Sequence, residues 1–178
     1  SALLSGGRPR EAQAWIGRGR DAGAGSRTLS HWGPLAAIAD PEIGPARGSS
    51  ALAALSPLVA QGAFSPAALH RLATVLDALN YNVPIDIWDA ANRTRQPTGG
   101  FLPPTGTLQS LAAASKANRS GETLLLVMAA LGKDGPASAN LLGLGDSLRA
   151  LLRIRRTDLA RQLAVEALLP IWPRRAVF

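Results

Sequence analysis

Residues 150–165 read ALLRIRRTDLARQLAV, and residues 2–16 read ALLSGGRPREAQAWI. Each opens on an apolar helix end, passes a small or basic turn and enters a second helix. Ala2, Leu3, Leu4 and Ala12 fall on Ala150, Leu151, Leu152 and Ala160, and Leu163 stands where Trp15 does. Such an echo indicates a chain made of helical pairs packed on one another. It also implies that the first copy starts part-way through a repeat, so that Ser1 is not the natural beginning.

The composition agrees with helices. Apolar residues make up 47% and aromatics only 4%, so the apolar mass is Ala and Leu, both strong helix formers. No run alternates β-branched or aromatic residues with polar ones. The 178 residues suffice for one domain with a core, or for about four or five helical pairs. The absence of cysteine removes disulfides, thiol nucleophiles and thiolate metal sites. The longest fully apolar run, Leu124 to Leu131, falls short of the roughly 20 residues of a membrane span. No signal peptide is visible, and the compartment stays open between cytoplasm and export.

A net charge of +7 and a pI near 11.4 invite a nucleic-acid reading. Two features argue against it. All basic residues except Lys116 and Lys133 are Arg, which with so much Ala, Gly and Pro matches the codon bias of a GC-rich bacterial genome. The arginines are also scattered rather than clustered.

Along the chain, residues 1–49 are expected to form short helices and Gly-rich loops, the end of a preceding repeat, and residues 50–178 a helical-hairpin domain. Pro9 opens a helix to about Gly17, followed by a flexible GRGRDAGAGS connector; a disordered arm is the alternative for this whole N-terminal region. Pro34 opens a helix to Ala39. Ser50 caps one from Ala51 to about Gln61, bent or split by Pro57. Ser65-Pro66 is a cap followed by a first-turn proline. Leu69, Leu72, Val75, Leu76 and Leu79 then line one stripe, with His70, Arg71, Thr74 and Asp77 opposite. Pro84 opens a helix carrying Ile85, Ile87 and Trp88 inward. Arg95 to Gly106, RQPTGGFLPPTG, reads as the one long loop. Thr107 then caps Leu108 to about Ala117, and Ser120 caps Gly121 to Leu131. That LLLVMAAL segment, apolar all round, is expected to be the most buried. Gly132 and Gly135 mark its exit, Pro136 starts a helix to about Arg153, and Thr157 caps the last, to about Leu169. The expectation is an all-α fold, with helical hairpins stacked as an irregular solenoid or a compact bundle.

The stretch LLGLGDSLRALLRIRRTDLARQLAVEALL at 141–169 resembles one unit of a tetratricopeptide-like helical repeat. Gly145, the apolar ladder, the tight turn and the Ala-rich second helix carry the likeness, and residues 2–16 share half of it. The unit spacing is irregular and the family's Trp, Tyr and terminal Pro pattern is missing. The resemblance implies an α-solenoid that binds other proteins on a concave face, and it carries over no site residue.

Chemical candidates are few. His31 beside Trp32 reads as a packing or capping group, and His70 as a solvated side chain on a polar face. Two distant histidines fall short of the three or four ligands of a zinc site, so neither a metal nor a cofactor is expected. Asp86 and Asp89 could serve acid–base work, although Asp in a first helical turn is ordinary dipole chemistry. No G-x-S-x-G elbow occurs. Gly143 and Gly145 read as sites where a neighbouring helix comes close. Arg149, Arg153 and Arg156, joined by Arg155, form the best candidate contact for an anion or acidic partner. Phe101 and Leu102 are a candidate loop anchor, against the alternative that they pin the loop to the core. The four Trp read as packing wedges, with at most one interface anchor. The leading reading is a non-catalytic protein-interaction or scaffold module of a bacterial protein, a fragment of a longer chain, with an unidentified protein partner and homo-oligomers left open. The alternative is a regulatory domain that binds nucleic acid or an acidic partner through the Arg149–Arg156 stripe. An enzyme working through Asp86, Asp89 or His70 is the third.

Overall fold

The computed structural model describes residues 2–21, 31–44 and 52–173. Ten α-helices run through them: α1 (Ala2–Ser5), α2 (Pro9–Asp21), α3 (Gly33–Ala39), α4 (Leu55–Ala60), α5 (Pro66–Ala78), α6 (Ile85–Asn92), α7 (Thr105–Lys116), α8 (Ser120–Leu131), α9 (Leu141–Arg153) and α10 (Thr157–Leu168). A 3-10 turn, Leu169–Ile171, follows α10. No strand occurs among the described residues, where Phe101 and Ala139 form an isolated parallel bridge. The fold is all-α.

Several helix boundaries follow from local chemistry. Ser65 accepts the N–H of Ala68 and Pro66 takes the first helical position, where a missing donor costs nothing. Pro57 sits in the first turn of α4 for the same reason, while Ser50, the expected cap, lies outside the described residues. Other boundaries differ from expectation. α2 runs on through Gly17 and Gly19 to Asp21, with the Arg18 guanidinium over the Trp15 ring at 5.1 Å; glycine propensity is a weak prior once neighbours pack. The first half of the expected connector, residues 17–21, is therefore helical, and the second half, residues 22–26, lies outside the described segments. α7 begins at Thr105, because Pro104 accepts the N–H of Thr107 and so takes the capping position. Residues 136–139 do not open a helix. They are spent on a turn and the bridge to Phe101, and Asn140 caps α9 by accepting from Leu142 at 3.0 Å. Ser120 and Thr157 are first helical residues, not caps.

α9 is the central helix, packed against α5, α7, α8 and α10. Its Leu144, Leu148 and Leu151 are fully buried. α10 in turn packs against α1, α3 and α5. An open solenoid brings each repeat only to its neighbours. Here α1 meets α10, and α3 lies between α2 and α10, so the hairpins close into a compact bundle. Leu35 and Ile38 of α3 belong to the same core as Leu148 and Leu168.

The expected burial of α8 is overturned. Leu125 and Met128 are each 69% exposed, and only Thr123, Val127, Ala130 and Leu131 are buried. α8 lies on the flank of α7 and α9, and nothing among the described residues covers its outer side. Ile85, expected inward, is 74% exposed, whereas Ile87 is fully buried.

Candidate interaction surfaces

The echo between residues 2–16 and 150–165 is a structural repeat, and it has a third copy. At the corner of α1 and α2, Gly6 N–H donates to Ala2, Gly7 to Leu4, Arg8 to Leu3 and Ala12 to Arg8. At the corner of α9 and α10, Ile154 donates to Ala150, Arg155 to Leu152, Arg156 to Leu151 and Ala160 to Arg156. Between α7 and α8, Ala117 donates to Ala113, Asn118 to Ser115, Arg119 to Ala114 and Thr123 to Arg119. Each corner is a Schellman stop with one left-handed residue: Gly7 at φ 67°, Asn118 at 54° and Arg155 at 60°. Each restarts immediately at an arginine paired with an acid in the next turn. Arg8 meets Glu11, Arg119 meets Glu122 at 3.0 Å and Arg156 meets Asp158 at 3.7 Å. The α7–α8 copy escapes notice in the sequence because its helix end is AASKA, not ALL followed by a basic or glycine pair.

The corners of the second and third hairpins adjoin and frame a cleft of about 610 Å3. Lys116, Asn118 and Ser120 come from one side, and Arg153, Ile154 and Arg155 from the other, over Ser115. The expected arginine stripe is therefore divided. α9 ends at Arg153, so Arg155 and Arg156 lie on the corner and not on a continued helical face. Arg149 is held by Asp77 at 2.6 Å and Asp146 at 3.4 Å. Arg156 is held by Asp158, and Arg153 reaches the Ser115 hydroxyl at 3.5 Å. The Arg155 guanidinium meets no hydrogen-bond or ion-pair partner among the described residues.

The apolar surface gathers around α8. Leu125, Met128 and Gly132 recur at i, i+3 and i+7, so they share one side. The Phe101 ring lies directly over Gly132. The loop backbone is pinned, with Phe101 donating to Ser138 and accepting from Asn140, both at 2.9 Å, yet the side chains of Phe101 and Leu102 remain 44% and 60% exposed. The loop is thus held through its main chain, while neither side chain folds into the core. Around the edge of α8, a groove of about 340 Å3 runs to α10, lined by Val127, Met128, Leu131, Leu151 and Leu163 with Glu166 at its rim. A second apolar cleft of about 280 Å3 lies on the first hairpin against Leu3, Trp15, Ile16 and Trp32. Trp15 is the exposed tryptophan, at 63%. Trp172 is buried, donating to the His31 carbonyl at 2.9 Å and meeting Phe64 edge-on.

The remaining candidates do not converge. His70 is half-buried rather than solvated, its Nε2 3.1 Å from the Thr94 hydroxyl. His31 is buried with its ring against Trp32 at 5.3 Å. Asp86 opens α6 and Asp89 lies one turn on. No group of three His, Cys, Asp or Glu is placed to hold a metal among the described residues, and no helix there is long and apolar enough to cross a membrane. Arg71, expected only as part of the polar side of α5, is half-buried, and Arg161 carried no reading in the sequence. Arg71 donates to the Pro136 and Ala139 carbonyls, both at 2.9 Å, and burial lowers its pKa from the ordinary value. Arg161, 3% exposed, donates to the carbonyls of Ala37, Ile38 and Ile43 and to the Tyr81 hydroxyl at 2.7–3.3 Å. Its counterpart in the first hairpin, Gln13, lies 3.4 Å from the Ala36 carbonyl. The end of α3 is thus tied from both sides by equivalent positions. Their spacing from the corners is the one sequence signal that could have paired them.

No family model, curated protein or solved structure matches this chain.

Proposed function

We propose that this chain is a non-catalytic protein-interaction module of a bacterial protein, and that its partner presents an amphipathic helix to the outer side of α8. The observation that carries the reading is the exposure of Leu125 and Met128 in the middle of a well-formed helix. Single exposed apolar residues are ordinary. A set continuous with Phe101 and bordered by an apolar groove is the form that helix-in-groove recognition takes. The way α9 packs on both α7 and α8 also supports hairpins stacked as in tetratricopeptide-like proteins, which commonly act as scaffolds. The arginine-stripe alternative is narrowed, since Arg149 and Arg156 are already engaged by carboxylates.

A photo-crosslinking residue at Met128, introduced in the host cell, tests this. A discrete adduct with one protein is expected, and Leu163→Glu in the groove should remove it. An adduct only between two copies of this chain would make the partner itself. Absence of any adduct from positions 102, 125 and 128 would sink the reading.

A further inference from the structure

The geometry points to a phosphate-binding site in the cleft between the corners of the second and third hairpins. Lys116 and Arg153 hold the same place in the two hairpins, the last helical residue, and Asn118 and Arg155 hold the left-handed place. Stacking the hairpins brings both pairs to one cleft. Three cations, two serine hydroxyls and one amide line it, and no carboxylate does. Arg8, Arg10, Arg119, Arg149 and Arg156 each have an acid within 4 Å; among the described residues Lys116, Arg153 and Arg155 have none, nor do Arg18, Arg93, Arg95 and Lys133, but Lys116, Arg153 and Arg155 line one cleft. Crowded like charges repel, and an anion between them reverses the sign of that interaction.

Ser115 is buried, donates to the Ala112 carbonyl at 3.1 Å and lies 3.5 Å from the Arg153 guanidinium, which holds that group against the cleft wall. Arg155 keeps a left-handed backbone where the first hairpin uses Gly7, a strain typical of functional positions. The neutralised arginines on either side interrupt any continuous basic track, so a small dianion fits better than a nucleic-acid backbone. Guanidinium and ammonium donors around one tetrahedral oxyanion supply the charge-assisted hydrogen bonds that phosphate takes.

The test is an amide-resolved NMR titration of the whole chain with inorganic phosphate at constant ionic strength, with chloride as the control salt. Saturable shifts are expected at residues 115–120 and 153–156. Arg155→Gly removes the cation while suiting the left-handed backbone, and should weaken binding about tenfold with the fold retained. Lys116→Gln should act likewise, and Arg95→Gln should have no effect. Phenyl phosphate distinguishes the source: tighter binding than inorganic phosphate assigns an organic phosphate monoester, and weaker binding assigns the free ion. Shifts that chloride reproduces, that fail to saturate, or that survive Arg155→Gly unchanged would overturn the assignment.

Discussion

Arg155 and Arg161 lie six residues apart and meet opposite demands. Arg155 sits at a corner that suits glycine, with its side chain in solvent. A left-handed conformation costs a β-carbon-bearing residue about 1–2 kcal/mol, partly offset by the unfolded-chain freedom that glycine would add. Arg155→Gly is therefore expected to raise Tm by about 1–3 °C, read by calorimetry in phosphate-free buffer; a fall would mean that the side chain supports the fold. Arg161 is buried without a carboxylate and serves main-chain carbonyls at the end of α3. Arg161→Met preserves bulk but removes the side-chain donor from the Ile38 carbonyl and leaves those of Ala37 and Ile43 to share the Tyr81 hydroxyl at 3.4 Å, an unpaired buried acceptor costing about 1–3 kcal/mol. With part of the loss relieved by water, denaturant unfolding should show a destabilisation of about 2–4 kcal/mol. A change under 1 kcal/mol would mean that the carbonyls reach solvent unaided.

At the scale of elements, two glycines inside helices separate propensity from packing. A β-carbon on Gly143 would come 2.8 Å from the Ala130 carbonyl and 3.2 Å from Pro103, whereas one on Gly17 would meet nothing within 4 Å. Gly143→Ala should destabilise by about 1–2 kcal/mol, overcrowding outweighing the better helix former. Gly17→Ala should stabilise by about 0.5–1 kcal/mol. Equal effects in urea unfolding would refute the close α8–α9 contact. The same contact explains why α8 is not the core helix. Its small Ala130 abuts α9, and only one side of the LLLVMAAL run is needed for burial. Leu125→Glu should accordingly shift stability by no more than about 0.5 kcal/mol while abolishing partner binding; a loss of several kcal/mol would place Leu125 in packed surroundings.

For the whole molecule, the sequence by itself determined the class and the repeat. Ala and Leu at helical spacing, Ser65-Pro66, and the echo of residues 2–16 in 150–165 are local signals, and local signals fix helices and corners because backbone hydrogen bonds there span three to five residues. The arginine candidates were also legible, since residue type and spacing are read directly. Tertiary structure alone decided which cations remain unpaired, because Asp77 lies far from Arg149 in sequence yet holds it at 2.6 Å. It alone exposed one side of α8, for an all-apolar helix carries no moment to say which face its neighbours will cover. It alone revealed the third hairpin and closed the array into a bundle, for the end of α3 is satisfied by Arg161, a side chain more than 120 residues away. Contacts of that reach are set by how the hairpins pack, and no local pattern records them.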